Sequence, residues 1–231
     1  MKISVLTLFP DIVKGPLSQS ILKRAQDKQI AEFEIVNIRD YADNKHKTVD
    51  DVPYGGGPGM VMKAEPVYKA VQAVLKPESR VIIMSPAGKR FNQKMAKALS
   101  KEQHLIFICG HYEGIDERVM QLLNPLMISI GDYVLTNGAL AACVVTDAVV
   151  RLLPQVLGNE LSTLEESHET EGLVEYPQYT RPQNFMGLEV PEVLLSGHHK
   201  EIEKWRKNEA LKRTREYSGE KPVIEGGHVN E

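Results

Sequence analysis

Five short apolar runs recur along the first part of the chain: Ile3 to Leu8, Phe33 to Ile38, Val81 to Met84, Leu105 to Cys109 and Leu126 to Ile130. Each has the length of a buried strand. Between them lie segments whose apolar residues return at helical spacing, Ile12 to Ala25, Pro66 to Leu75, Asn92 to Ser100 and Asp116 to Leu123. Pro66 suits a first helical turn, and Asn92 and Asp116 suit N-caps. This alternation predicts an α/β domain built on a largely parallel sheet with helices on both faces.

Polar, glycine-marked turns end the central runs. Leu105-Ile106-Phe107-Ile108-Cys109 breaks at Gly110 into His111-Tyr112-Glu113-Gly114-Ile115-Asp116-Glu117-Arg118, and Met127-Ile128-Ser129-Ile130 breaks at Gly131 into Asp132-Tyr133-Val134-Leu135-Thr136-Asn137-Gly138. Ser85-Pro86-Ala87-Gly88 gives a third strand-end turn. In open α/β sheets ligands lie outside the carboxyl ends of the strands, where glycine lets backbone approach them. Together the three loops predict one cofactor-sized pocket.

Ala139 to Leu153 reads as a strongly apolar helix, buried either on the sheet or in a subunit interface. After Pro154 the character changes. Gly158 to Tyr179 is acidic and turn-rich with no sustained apolar period, as expected of a mobile linker. A final unit follows, with Ser196 as the expected N-cap of a long helix from about His199 to Glu216 that carries Lys200, Lys204, Arg206, Lys207, Lys212, Arg213 and Arg215. A solvated charged helix is the default reading of such a segment, and a phosphate-facing helix is the functional one.

Composition narrows the class without choosing within it. The 231 residues are 42% hydrophobic and 26% charged with a formal net charge of -3, so the chain is an ordinary soluble one with no global basic field. The longest apolar stretch, Ala139 to Val150, is interrupted by Thr146 and Asp147 and falls short of a membrane span. Met1 to Leu8 looks like a first strand rather than a signal peptide. Cys109 and Cys143 sit in apolar segments without motif spacing, as reduced core cysteines of a cytoplasmic protein would.

Several motifs that promise chemistry do not carry it. The loop Val52-Pro53-Tyr54-Gly55-Gly56-Gly57-Pro58-Gly59-Met60 lacks the Lys-Ser/Thr ending of a phosphate loop and follows a polar stretch instead of a strand. So long a glycine-dense loop, beside Lys45, His46, Lys47, Asp50 and Asp51, is still expected to be functional or disordered. No metal site is expected: the adjacent His198 and His199 diverge, and His104 and His111 flank a strand as capping or polar-edge residues. No local signature of a Ser/His/Asp or Cys/His nucleophile appears.

A set of ungapped segments in one order resembles the bacterial tRNA (guanine-N1-)-methyltransferases, which methylate the guanine just 3′ of the anticodon. They are Leu8-Phe9-Pro10; Asn37-Ile38-Arg39-Asp40-Tyr41; Asn44-Lys45-His46; Val49-Asp50-Asp51 through Gly59-Met60-Val61; Phe107 to Gly114; Ile128 to Thr136; Asp147 to Gly158; Tyr179-Thr180-Arg181-Pro182; and Val193-Leu194-Leu195-Ser196-Gly197. The resemblance implies an S-adenosyl-L-methionine-dependent enzyme of the knotted SPOUT class, a homodimer in the cytoplasm with no membrane association. Its implied layout is a cofactor domain at 1–158 with a trefoil knot, a flexible linker at 159–178 and a small helical tRNA-binding domain at 179–231.

By the same resemblance, Gly110, Ile130, Gly131, Asp132, Tyr133, Val134 and Leu135 line the cofactor pocket, with Ser85, Pro86, Tyr112, Glu113, Gly114 and Gly138 nearby. Arg151 and a linker carboxylate, Glu166 by ungapped count, would be catalytic. His46, Asp51, Gly59, Lys200 and Arg206 would meet the tRNA anticodon stem-loop, and Mg2+ would act without a dedicated protein site. A carboxylate near guanine N1 is chemically apt, because N1 is a poor nucleophile until its proton leaves. A guanidinium, always charged and a planar fork of donors, suits the charge that builds on O6.

The chain departs from the family at the cofactor loop. Thr136 is usually followed by two glycines, a glutamate, a leucine and a proline, but here by Asn137-Gly138-Ala139-Leu140-Ala141. Asparagine tolerates a left-handed backbone, so the turn is expected to survive. Glu166 stands where the family has aspartate. These departures motivate a second reading, a non-catalytic RNA-binding protein or a knotted methyltransferase with another target. The Gly55 to Gly59 loop motivates a third, a nucleotide-hydrolysing enzyme. Calorimetric titration with adenosylmethionine and with a nucleoside triphosphate separates the three.

Overall fold

The apolar runs pair into one sheet because each is flanked by helices able to cover it. The computed structural model describes residues 1–158, 167–168 and 173–218, which fall into two compact units, Met1–Gly158 and Asn159–Glu231. The first unit runs β1 (Lys2–Thr7), α1 (Pro10–Leu17), α2 (Ser20–Asp27), β2 (Glu32–Asn37), a 3-10 turn at Ile38–Tyr41, and the short antiparallel pair β3 (Asp50–Asp51) and β4 (Val61–Met62). It continues with α3 (Ala64–Val74), β5 (Ser79–Arg90), α4 (Gln93–Leu99), β6 (His104–Cys109), α5 (Glu117–Leu123), β7 (Leu126–Ser129) and α6 (Ala139–Val150). The main sheet has the order β2-β1-β6-β5-β7, and every neighbouring pair is parallel.

Alternation along the strands divides the core into two layers. Ile3, Val5, Leu105, Phe107 and Cys109 point to the face covered by α1, α2, α4 and α6, while Leu6, Ile106 and Ile108 point to the face covered by α3 and α5. Phe107 on the central strand is fully buried, and its truncation to alanine would cost roughly 3–5 kcal/mol. Most of α6 is buried too, but Leu140 and Val144, one turn apart, remain half exposed at 51% and 50%. No helix of the described residues is long and apolar enough to cross a membrane.

Four expectations change in detail. The helix expected over Ile12 to Ala25 is two helices, because Pro16 removes a backbone donor near the end of α1 and Ser20 takes a positive φ of 49° at the start of α2. The Ser85 to Gly88 turn lies inside β5, where pairing with β7 jumps from Met84↔Ile128 to Lys89↔Ile128, and the intervening residues bulge out. β3 and β4 were not expected in the glycine-rich region. His104 is not an edge residue, as it is 1% exposed within β6.

Two serines hold that histidine. Ser4 Oγ donates to Glu34 at 2.9 Å and lies 2.9 Å from His104 Nε2, while Ser79 Oγ lies 2.7 Å from Nδ1. Ser4 has given its only proton to Glu34, so Nε2 carries the imidazole proton and Nδ1 accepts from Ser79. Burial first, then the nearby Lys2 and Lys76, push His104 below its ordinary pKa, and the neutral tautomer satisfies both contacts.

The second unit contains the hairpin β8 (Asn184–Phe185) and β9 (Leu188–Glu189), then α7 (Glu192–Leu195) and α8 (His199–Ser218). Ser196 is not the N-cap of α8. It ends α7, with its hydroxyl donating to Val193 O, and it accepts from the His198 amide. Within this unit Val174 N donates to Thr214 Oγ1 on α8, and Trp205 packs 6.2 Å from the Tyr179 ring.

Candidate functional site

The bulge inside β5 and the carboxyl ends of β6 and β7 open into a cavity of about 420 Å³, a size suited to a small cofactor. Its wall comes from three loops, 85–87 within β5, 110–115 after β6 and 130–138 before α6. Ser85, Pro86, Gly110, Tyr112, Glu113, Gly114, Ile130, Gly131, Tyr133, Val134, Leu135 and Gly138 all line it. Asp132 does not. It turns away from the cavity and pairs with Arg90 at the end of β5.

Tight backbone packing sets the shape. Gly138 donates its N–H to Gly110 O at 2.9 Å, and a Cβ at 138 would lie 3.0 Å from Cys109 Cα, 3.0 Å from Met84 Cβ and 3.2 Å from Gly110 N. Only glycine lets the loop before α6 press against the end of β6. The 110–115 loop is tied to β4, since Glu113 N donates to Met60 O and Asp116 N to Met62 O, both at 3.0 Å. A Cβ at Gly59, whose φ is +78°, would run into the Glu113 carboxyl, so the glycine-rich loop reaches the cavity wall through this contact.

The polar groups suit a purine. In the 130–138 loop the amides of Gly131 and Gly138 donate within the protein, to Ser129 Oγ and Gly110 O; those of residues 132–137 have no acceptor among the described residues. Unpaired backbone groups on a concave wall are available to a ligand's ring edge, and Ile130 and Leu135 supply apolar faces beside them. This donor set and shape fit an adenosyl group. Cys109, beneath the loops, is buried and its thiol is pushed well above the ordinary range, so it is no nucleophile.

His111, expected as a capping or polar-edge residue, lines the cavity. Its ring sits between Phe9 and Tyr112, with centroids 5.0 Å and 4.5 Å away, and its Nδ1 is buried without a hydrogen-bond partner. Asp116 caps α5 and forks onto Arg118, whose guanidinium holds the carboxyl down at about 2 despite partial burial.

The other candidates lie elsewhere. Arg151 closes the end of α6, its amide donating to Asp147 O at 3.1 Å. His46 is exposed, and its amide donates to Asn44 Oδ1. Asp51 accepts from Val52 N and pairs with Lys63 at 3.3 Å, which hold its carboxyl below the usual range. In the second unit Lys200 is exposed on the first turn of α8, whereas the Arg206 guanidinium lies 4.9 Å above the Tyr176 ring. Glu166 lies outside the described residues. No cluster of three or more His, Cys, Asp or Glu able to hold a metal ion occurs among the described residues.

Comparison with known proteins gives one consistent result. The tRNA (Guanine-1)-methyltransferase TrmD family model matches residues 1–220. The chain is 59% identical over 214 residues to the tRNA (guanine-N(1)-)-methyltransferase of Carboxydothermus hydrogenoformans, covering 93% of this chain and 84% of that one. It is 58% identical over 217 residues to the protein of the same name from Anoxybacillus flavithermus, covering 93% and 88%. The Dictyoglomus turgidum protein of that name is 56% identical over 214 residues, covering 93% and 86%.

Proposed function

The chain belongs to the tRNA (guanine-1)-methyltransferase family, and on that premise we propose that it moves a methyl group from S-adenosyl-L-methionine to N1 of the guanine immediately 3′ of the tRNA anticodon, position 37. The observation that carries the cofactor assignment is the run of backbone amides at residues 133–137 on the cavity wall, which have no acceptor among the described residues. Those amides and the matching carbonyls would read the adenine edge, while Ile130 and Leu135 pack its faces.

When bound, the donor supplies a methyl carbon whose bond to sulfur breaks with the electron pair left on sulfur, so no protein nucleophile is needed. Glu166 takes the N1 proton as the N1 electron pair forms the bond to carbon. Arg151 stabilises the charge that moves toward O6. The protein's main task is alignment, and a displacement of about 1 Å can cost roughly a hundredfold.

The close pass of Gly138 against Cys109 and Gly110 supports a trefoil knot threaded through these loops. The half-exposed Leu140 and Val144 support a homodimer formed through α6. We assign His46, Asp51 and Gly59 in the first unit, and Lys200 and Arg206 in the second, to the anticodon stem-loop. The enzyme acts in the cytoplasm, and any Mg2+ it uses has no dedicated protein site.

Single-turnover kinetics test the base. Glu166→Gln should abolish methylation while leaving adenosylmethionine affinity nearly intact, and Glu165→Gln and Glu169→Gln should be mild. If Glu166→Gln keeps most of the rate, the base is His168 or a neighbouring glutamate.

A further inference from the structure

The cofactor loop ends in a side chain whose reason for being there is not backbone conformation. Neither Asn137 nor Gly138 adopts a left-handed φ: Asn137 is absent from the positive-φ residues, and Gly138 has a φ of -80°. An asparagine chosen for left-handed geometry is therefore the wrong account. Instead its carboxamide oxygen accepts from Ala139 N, the first residue of α6, at 2.9 Å, and its Nδ2 reaches Thr136 Oγ1 at 3.4 Å. Gly138, the N-cap position itself, has no side chain to offer, so Asn137 satisfies one of the orphan donors of the helix from one residue further back.

That bond has a consequence for the cavity. The amides of residues 133–137 have no acceptor among the described residues, and at its far end the loop is held by two hydrogen bonds, Gly138 N to Gly110 O and Ala139 N to Asn137 Oδ1, beside the packing of Gly138 on Cys109 and Met84. The first fixes the glycine against β6. The second fixes Asn137, the last residue of that run, relative to the first turn of α6. Asn137 also lines the cavity.

We propose that Asn137 is a positioning residue for the adenosyl group: its cap on α6 holds the 133–137 amides in the geometry that reads the adenine edge. This rests on the placement of adenosylmethionine against the same loop. Losing the cap releases a loop that the ligand must then order, and the cost falls on binding, not on the methyl-transfer step.

Calorimetry on the full-length protein with adenosylmethionine and with adenosine alone tests this. For Asn137→Ala both dissociation constants should rise about fivefold, the size of a typical lost cap. KM for the cofactor should rise in parallel with kcat unchanged, and the unliganded melting temperature should fall by only about 2–4 °C, as one lost cap costs a protein of this size. Asn137→Asp and Asn137→Ser, which keep an acceptor oxygen, should recover most of the affinity. Unchanged affinities in Asn137→Ala overturn the proposal, as does a loss for adenosylmethionine with none for adenosine, or a failure of both rescuing variants. If the wild-type protein binds neither ligand, the cofactor assignment itself falls.

Discussion

A methyl group added at residue 138 would press on the end of β6 and on Met84 at once, two of them backbone atoms that cannot yield. Gly138→Ala should therefore cost about 1–3 kcal/mol in urea denaturation and weaken adenosylmethionine binding, since the loop can relieve the clash only by leaving the cavity wall. A variant with wild-type midpoint and affinity would contradict the packing described here. The glycine was visible in the sequence as the end of a polar turn. Its reason was not, because the atoms it avoids belong to Cys109 and Gly110, far back along the chain.

His104 shows the same limit from the other side. As a polar residue at the start of an apolar run it reads as a strand edge, and its partners Ser4 and Ser79 are 100 and 25 residues away. Because its native pKa lies below the ordinary 6.5, an unfolded chain takes up a proton that the native one refuses. Stability should then fall as pH drops from above 6.5 toward the native value, by at most about 1.4 kcal/mol per pH unit, and level off below it. Urea midpoints at pH 7.5 and 5.5 should move less in His104→Asn than in wild type. Equal shifts in the two proteins would remove His104 from the account.

Among the elements, the strands of the main sheet were legible because each is a short apolar run bounded by turn residues. The break between α1 and α2 was missed although Gly15-Pro16 is a turn signal, since apolar spacing continues across it. The turn at Ser85 was seen, but not that β5 resumes beyond it, because only pairing with Ile128 defines that bulge. Ser196 has the chemistry of a cap but closes α7 instead of opening α8, a boundary that two adjacent helices leave open in the sequence.

The apolar character of α6 left two covers open, and the structure divides them. Ala142, Val145, Val149 and Val150 are buried within the unit, while Leu140 and Val144 are half exposed. An i, i+4 apolar pair at half exposure suits a two-fold contact between copies of the chain. Leu140→Glu and Val144→Glu together should convert a sedimenting dimer into a folded monomer at micromolar concentration. A wild-type monomer with full activity would contradict the dimer.

At the scale of the molecule, the family was readable from long ungapped segments in a fixed order, and similarity across 93% of the chain supports it. The parallel sheet was readable from alternation. A knot has no local signature, since periodicity says which residues are buried and not which segment passes through which. The pocket falls between these cases: its loops were marked by glycines, while His111 and the pairing of Asp132 with Arg90 arise only when distant strand ends meet. The most direct test of the central claim is to incubate the protein with methyl-labelled adenosylmethionine and unmodified tRNA, then digest the tRNA to nucleosides. Label should appear in N1-methylguanosine from position 37 and vanish when that guanine is replaced; label in another nucleoside, or none with active-site residues intact, would contradict the account.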